Sequence, residues 1–295
     1  MQTLRARSGH ITLSVRVHAG CEDDAPTVLL LHGYPDTQRM WDPVVRVLNR
    51  EHRLGVVTYD VRGAGASTTP ARRADYVSER LVDDLVAVMD RTMPDRTPIH
   101  LVGHDWGSVQ LWDAVTTEEV DVRLRGRIAS FTSISGPGLD YVAYALRRAR
   151  AERDRSLLSA QARRSWYVYA FHLPWLPELV WKHQSQRLRA RLNRAERMAD
   201  GHWADTLADD GAHGLNLYRA NVRQRIRRPR PGRTRVPVQL VVPELDNVVL
   251  PTLYRYLEEL VPDLTRVDVR AGHLLPRQEP DLVAGLVADH VRRHC

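Results

Sequence analysis

Cysteine is almost absent from this chain of 295 residues, which has only Cys21, in a predicted loop, and Cys295 at the last position. Two cysteines placed in this way argue against a structural disulfide and against a cysteine-based metal cluster. The sequence therefore predicts no bound metal ion. At this length the chain can instead bury a sizeable apolar core.

Long apolar runs are also absent. No window reaches the ~18 uninterrupted apolar residues that a membrane-spanning helix requires, and residues 1–7 lack the apolar segment of a secretory signal peptide. We therefore expect a cytoplasmic protein without a transmembrane segment. Hydrophobic residues make up 43% of the chain and the mean hydropathy is −0.40, which is ordinary for a globular protein.

Lysine is represented by Lys182 alone, whereas arginine is abundant and gives the chain a net charge of +7. The densest basic run extends from Arg223 to Arg235 and contains two prolines, one glycine and no aromatic residue. No nucleic-acid-binding motif surrounds it. We interpret the run as a solvated connector and predict no nucleic-acid partner, while surface association with a membrane and formation of a homodimer stay open.

Strand-like apolar runs alternate with helix-like segments, a pattern that predicts an α/β fold with a mostly parallel sheet of eight strands and helices on both faces. The alternating polarity of residues 11–17 predicts an antiparallel edge hairpin. The last helix is expected to begin at Pro280 and to bury Leu282, Val283, Leu286 and Val287. Buried strands are predicted at residues 27–31, 55–59, 99–102, 128–134, 236–242 and 265–269.

The alternation stops between about residues 138 and 222, where helical blocks rich in arginine and alanine surround an aromatic segment. We therefore predict an α/β core made of residues 1–137 and 223–295, with a helical cap inserted at 138–222. Prolines at 174 and 177 argue against a membrane helix in the cap. The aromatic side chains suit the lining of a substrate pocket, although packing of a cap on a core would give a similar composition.

The segment Gly103-His104-Asp105-Trp106-Gly107 follows a predicted strand and precedes a predicted helix. A reactive side chain with glycine two residues to either side is typical of a nucleophile elbow, a tight turn that exposes the central side chain above the sheet. Here the centre is Asp105 rather than serine. A carboxylate suits attack on a tetrahedral carbon, because the product is an alkyl ester that water can later hydrolyse. An ordinary turn aspartate is the competing interpretation.

The loop His32-Gly33-Tyr34-Pro35 follows the first buried strand. In folds with such an elbow, this loop supplies one backbone N–H of an oxyanion hole, here that of Tyr34, and the residue after the nucleophile, Trp106, supplies the other. We expect Gly33 and Pro35 to shape the loop, Pro35 through a cis peptide bond, and His32 to have a structural role. The later motif from Asp60 to Ser67 is interpreted as scaffolding.

The base and the acid that orients it must follow the nucleophile in the order aspartate, acid, histidine. His273 lies directly after the last predicted strand, and Asp246 follows the strand before it. Both loops belong to the carboxyl edge of the sheet, where catalytic groups gather in open α/β folds. We therefore expect Asp246 to fix the tautomer of His273 and leave its other nitrogen to deprotonate water. Glu244 is the alternative acid.

These motifs, with the segments HGYPD, DVRGAGAS and AGH, make the chain resemble α/β-hydrolase-fold epoxide hydrolases over essentially its whole length. The resemblance is greatest to bacterial forms, some of which carry a fused short-chain dehydrogenase domain, and the chain is expected to stop where that domain would begin. In this family two cap tyrosines bind and protonate the epoxide oxygen. Tyr218 resembles one of them, and Tyr167 resembles the other, with Tyr169 as the alternative.

The resemblance implies that a lipophilic epoxide and water are converted to a vicinal diol by Asp105, His273 and Asp246, with no metal or organic cofactor. Haloalkane dehalogenase is the first alternative, because that family shares the aspartate, the histidine and the elbow tryptophan. It commonly has asparagine where Tyr34 stands, however, and does not need paired cap tyrosines. The second alternative is a binding protein that kept the hydrolase fold without its chemistry.

Overall fold

The computed structural model describes residues 1–18, 25–198 and 201–295, so Cys21 lies outside the described part of the chain. Its framework is one eight-stranded sheet. The strands are β1 (Gln2–Ser8), β2 (Ile11–His18), β3 (Thr27–Leu31), β4 (Gly55–Tyr59), β5 (Ile99–His104), β6 (Ile128–Ile134), β7 (Val238–Pro243) and β8 (Leu264–Val269).

The strands lie in the spatial order β1-β2-β4-β3-β5-β6-β7-β8. Strand β2 is antiparallel to both β1 and β4, and the remaining pairs are parallel. The predicted eight-stranded, mostly parallel sheet with an antiparallel edge hairpin is therefore confirmed. Because all parallel strands point the same way, the loops that follow β3, β5, β7 and β8 meet at one edge.

Ten helices are described around this sheet. They are α1 (Asp42–Arg50), α2 (Ser78–Thr92), α3 (Trp106–Thr117), α4 (Leu139–Ala151), α5 (Arg155–Arg164), α6 (Trp166–Phe171), α7 (Leu176–Glu196), α8 (Leu207–Arg227), α9 (Leu275–Gln278) and α10 (Pro280–Arg293). Helices α1 and α10 cover one face of the sheet, and α2 and α3 cover the other. No helix among the described residues is both long and apolar enough to cross a membrane.

The alternation of side chains along β3 shows how the sheet divides two apolar layers. Val28 and Leu30 pack with α1 and α10, whereas Leu29 and Leu31 face the layer that contains α2 and α3. The last helix differs from the prediction at one position. Leu282 is 42% exposed, because the buried stripe of α10 follows Val283 and Val287 at four-residue spacing and leaves the neighbouring Leu282 outside.

Helices α4 to α8 lie between β6 and β7, where the sequence predicts an inserted cap. The predicted boundary at residue 222 falls within α8, which continues to Arg227. The first part of the basic run, from Arg223 to Arg227, therefore forms the end of α8, and only the residues after Arg227 connect it to β7. Arg225 pairs with Asp113 of α3 and Asp140 of α4 and is not a solvated side chain, because these two carboxylates lie beside the last turns of α8.

Candidate active site

Asp105 occupies a sharp turn between the end of β5 and the beginning of α3, with φ 50° and ψ −124°. A non-glycine residue in this part of conformational space is uncommon and is held only by its surroundings. The two flanking glycines make the turn possible. A Cβ atom at Gly103 would collide with the backbone of Ser108, and one at Gly107 would collide with the carbonyl of Leu31.

The loop after β3 reaches the carboxylate of Asp105 directly. The backbone N–H of Tyr34 donates to Asp105 Oδ1 at 2.8 Å, and a side chain on Gly33 would collide with the same carboxylate. The peptide bond between Tyr34 and Pro35 is cis. Trp106 is the first residue of α3, so its N–H has no acceptor within the helix. Asp105 directly precedes this helix and therefore lies at its positive end.

His32 makes contacts of a structural kind. Its Nδ1 lies 2.9 Å from the carbonyl oxygen of Gly33, and its Nε2 accepts the backbone N–H of Val61 at 3.0 Å. The side chain thus ties the loop after β3 to the loop after β4. In that second loop the carboxylate of Asp60 accepts backbone N–H groups of Gln38 and Ala66, an arrangement that fits the predicted scaffolding role.

His273 lies between two carboxylates. Its Nε2 is 3.5 Å from Asp105 Oδ2, and its Nδ1 is 3.0 Å from Asp246 Oδ2. Asp246 is buried, and its second oxygen accepts the backbone N–H groups of Val248 and Val249 at 2.7 and 2.9 Å. Since Asp246 can only accept, Nδ1 carries the proton and Nε2 faces the elbow. The alternative acid, Glu244, is exposed on the protein surface.

The two carboxylates determine the charge of this site. Burial acts to lower the pKa of His273, but the charges and hydrogen bonds of Asp246 and Asp105 outweigh it and raise the pKa well above its ordinary value. For Asp246, burial acts to raise the pKa, whereas the charge of His273 and the three hydrogen bonds lower it overall. The imidazole of His273 therefore holds its proton at neutral pH in the unreacted site.

His104, the residue before Asp105, also contacts His273. Its Nε2–H donates to the backbone carbonyl of His273 at 2.8 Å, and burial lowers its pKa to about 4, so the ring stays neutral. Sequence analysis did not assign a role to this residue, although its place inside the elbow motif was a signal. Nor did it identify Glu196 at the end of α7, which accepts the backbone N–H of Leu274 at 3.2 Å.

A cavity of about 590 Å³ lies between the helical insertion and the sheet edge, and Asp105 is on its wall. Most of the wall is apolar, with Trp106 beside the carboxylate and side chains of α4 and α8 further out. Among the described residues, no group of three or more histidine, cysteine or acidic side chains is placed to hold a metal ion.

Tyr167 and Tyr218 line the cavity together with Asp105. Their ring centroids are 6.1 Å apart, and the ring of Tyr218 packs edge-on against Trp106 at 4.8 Å. Burial, followed by the negative charge of Asp105, raises the pKa of Tyr167, and burial raises that of Tyr218 in the same direction. Both phenols therefore keep their protons at neutral pH. Tyr169 also touches the cavity but is 76% exposed.

Known proteins share much of this sequence. The family model described as alpha/beta hydrolase fold matches residues 26–280. A probable oxidoreductase named EphD from Mycobacterium tuberculosis is 36% identical over 276 residues, which cover 90% of this chain and 45% of that protein. Epoxide hydrolase A of the same organism is 30% identical over 160 residues, which cover 54% of this chain and 45% of that protein. The matched region thus spans less than half the length of each relative.

Solved structures share the architecture. An epoxide hydrolase from metagenomes of hot environments superposes with a TM-score of 0.77 at 23% identity, covering 98% of both chains. An epoxide hydrolase from Bacillus megaterium in complex with an inhibitor gives a TM-score of 0.76 at 19% identity and covers 99% of this chain and 100% of that one. At these identities the similarity establishes the fold.

Proposed function

The chain belongs to the alpha/beta hydrolase fold family, and from this premise we propose that it hydrolyses an epoxide to a vicinal diol through an ester formed on Asp105. The observation that carries the proposal is the environment of Asp105, which faces His273 on one side and two protonated tyrosines across an apolar cavity. Three of the four relatives and structural neighbours reported above are named epoxide hydrolases, which supports the same reaction.

In the first step, Asp105 Oδ2 attacks one carbon of the epoxide ring, and the bond from that carbon to the ring oxygen breaks. Oδ1 stays bound to the N–H of Tyr34, so we assign the new ester bond to Oδ2. The departing oxygen takes the electron pair and accepts a proton from Tyr167 or Tyr218. A phenol suits this role because it is still protonated at neutral pH but can donate to an alkoxide.

Formation of the ester also prepares the base. The carboxylate of Asp105 loses its charge and its hydrogen bond to His273, which are two of the influences that raise the imidazole pKa. The pKa of His273 then falls, and its proton can pass to the tyrosinate that the first step leaves, which restores the phenol. The same side chain is therefore a cation during attack and a neutral base afterwards, and no other residue has to change position.

In the second step, His273 Nε2 removes one proton from a water molecule as its oxygen adds to Cγ of Asp105. The negative charge that develops on Oδ1 is stabilised by the N–H of Tyr34, joined in our proposal by that of Trp106. The ester bond then breaks, the second water proton passes to the departing alkoxide oxygen, and the diol leaves. Asp246 holds the imidazole in the orientation that this transfer needs.

We assign helices α4 to α8 to a cap that covers the site and provides the two tyrosines. The apolar wall of the cavity favours a lipophilic epoxide. Every step above uses side chains of this chain and water, so the proposed reaction draws on no metal or organic cofactor.

The proposal is tested by separating the two steps. In the His273→Gln variant, attack by Asp105 remains possible but water is not activated, so the ester should accumulate. Intact-mass and peptide mass spectrometry after incubation with styrene oxide should show one substrate mass added to Asp105. Wild-type protein should show turnover to diol and no lasting adduct.

Two results would contradict the proposal. Turnover at the wild-type rate in Asp105→Ala would show that Asp105 is not the nucleophile. Release of halide from a bromoalkane, without diol from any member of an epoxide panel, would assign the site to dehalogenation instead. The Glu244→Gln variant is the matched control, because this exposed acid lies two residues from Asp246 and should leave turnover unchanged.

A further inference from the structure

Seven large apolar side chains of the helical insertion face solvent. They lie on α6, on the turn after it and on the first turns of α7, and we call them the apolar platform: Trp166, Tyr169, Leu173, Trp175, Leu176, Leu179 and Val180. Trp166 is 61% exposed and Trp175 is 67% exposed. An exposed group of this size within fifteen consecutive residues is unusual for a surface that contacts water alone.

The platform is held in place by a buried arginine. The guanidinium of Arg219 on α8 donates to the carbonyl oxygens of Phe171 and Leu173, at 2.7 Å each, and pairs with Glu178. Three parts of the turn are thereby fixed to one side chain. The apolar residues are therefore presented outward by a defined structure and not by a loosely packed segment.

Trp175 is the most unusual member of the platform. Its φ is 48°, in the left-handed region that bulky residues avoid, and its indole points into solvent rather than into the core. A conformation of this kind costs free energy that packing normally offsets. Here the side chain of Trp175 has little packing. The free-energy cost must therefore be offset by the contacts of Arg219 with neighbouring residues, or by a binding partner that contacts the indole.

Positive charge surrounds the platform. Residues 155–196 contain eight arginine and lysine side chains but only Glu178 and Glu196 as acids, a net charge of +6 within a chain whose total is +7. Both acids are already engaged, one by Arg219 and one by the backbone of Leu274. Along α7, the exposed stripe that begins with Leu176 and Leu179 continues at helical spacing into arginines. These are Arg187, Arg191 and Arg194.

We propose that the apolar platform docks on an anionic lipid bilayer. Tryptophan and tyrosine are favoured at the boundary between head groups and acyl chains. An exposed apolar face bordered by arginines is the form in which helices bind such surfaces without spanning them. Net charge complementarity selects a bilayer over a second copy of this equally basic chain.

The platform adjoins the opening of the cavity. Tyr169 belongs to both, and the exposed Arg223 and Arg227 lie on the cavity wall as well. A docked molecule would therefore open its cavity toward the lipid. This part of the inference rests on the proposed function, because it implies that a lipophilic epoxide enters from the membrane and reaches Asp105 without crossing water.

Docking can be measured without turnover, by co-sedimentation with vesicles. The protein should bind vesicles of phosphatidylglycerol and phosphatidylcholine and should not bind phosphatidylcholine alone. The triple variant Trp166→Gln, Trp175→Asn, Leu179→Gln should lower the partition coefficient roughly tenfold or more. The variant Arg187→Gln, Arg191→Gln, Arg194→Gln should lower it on anionic vesicles and weaken its dependence on salt.

The matched control replaces apolar residues that are exposed elsewhere, Val120→Gln and Leu282→Gln, and should bind as wild type does. Equal loss in this control, or no binding to anionic vesicles, would overturn the proposal. A concentration-dependent dimer that the platform variant abolishes in sedimentation velocity would assign the surface to a second copy instead. The platform variant should hydrolyse a water-soluble epoxide at the wild-type rate. This measurement distinguishes a loss of docking from a failure of the proposed reaction.

Discussion

The proposed reaction requires an accessible and anionic Asp105, although this side chain is largely surrounded by protein. The backbone N–H of Tyr34, the beginning of α3 and the imidazolium of His273 each stabilise its negative charge. None of these groups closes the side of the carboxylate that faces the cavity. In the proposed reaction, this arrangement stabilises the carboxylate before attack and loses much of that stabilisation when the ester forms, so that His273 can then act as a base.

The Tyr218→Phe variant tests the role of the cap phenols. Phenylalanine keeps the ring that packs on Trp106 and removes the hydroxyl that donates a proton to the epoxide oxygen in the proposed reaction. With Tyr167 still present, we expect alkylation of Asp105 to slow roughly ten- to hundredfold, measured as single-turnover quenching of tryptophan fluorescence. The control variant Tyr169→Phe removes an exposed hydroxyl from the same helix turn as Tyr167. An equal decrease of the alkylation rate in this control would contradict a specific role of Tyr218.

Helix α8 joins the insertion to the core through polar contacts at separate points along its length. Near its beginning, Asp210 accepts the backbone N–H of Gly65 at 2.8 Å. Further along, Asn221 accepts the N–H of Ser78 and donates to the carbonyl of Tyr76, both at 2.9 Å. These contacts fix the position of Tyr218, which lies between them on the same helix.

One of these contacts depends on pH. Burial, with the neighbouring charges of Asp60 and Asp36, raises the pKa of Asp210 from 3.8 to about 7 in the folded protein. In the unfolded chain the carboxyl ionises near its ordinary pKa, so the folded state loses stability as pH rises between these two values. The full loss, present above about pH 7, is at most roughly 4 kcal/mol.

The Asp210→Asn variant should remove this dependence. The amide can still accept from Gly65 and cannot ionise, so the unfolding temperature of the variant should fall less than that of wild type between about pH 5 and pH 8. Differential scanning calorimetry at matched ionic strength measures both. Asp209→Asn, one residue away and without the Gly65 contact, is the control. Parallel curves for wild type and Asp210→Asn would refute the assignment.

Over the whole molecule, stability is unevenly distributed. The central strands are buried on both faces by the two apolar layers. Helices α5, α6 and α7 have mostly exposed or half-exposed residues and few fully buried ones. The insertion therefore depends on the core for its position, whereas the sheet has its own core.

Hydrogen exchange should show this difference. Amides of β3 and β5 should exchange only through global unfolding, whereas those of α5 to α7 should exchange at least about a hundredfold faster through local opening. Mass spectrometry of exchanged peptides at neutral pH resolves these segments. Equal protection of the two regions would mean that insertion and core open as a single cooperative unit.

Local sequence patterns are enough to predict the sheet, the elbow and the order of the catalytic candidates. Buried strands are recognisable locally because both faces of each strand need apolar side chains, and Gly103 and Gly107 are recognisable because the turn excludes a Cβ atom. The positions of Asp246 and His273 followed from where the strands end. Their roles, like that of Tyr218, stay predictions until the variants are measured.

Which of several similar side chains come into contact depends on tertiary packing. It placed Tyr167 against Tyr218 and left Tyr169 largely exposed, and it brought His104 and Glu196 onto the loop of His273. Tyr167 and Tyr169 lie on the same short helix, and the angle at which this helix packs decides which of the two is buried. The sequence of the helix alone does not specify that angle. The contacts of His104 and Glu196 join residues far apart in the chain. The elbow motif therefore marks His104 by its place but not by its partner, and no local pattern marks Glu196.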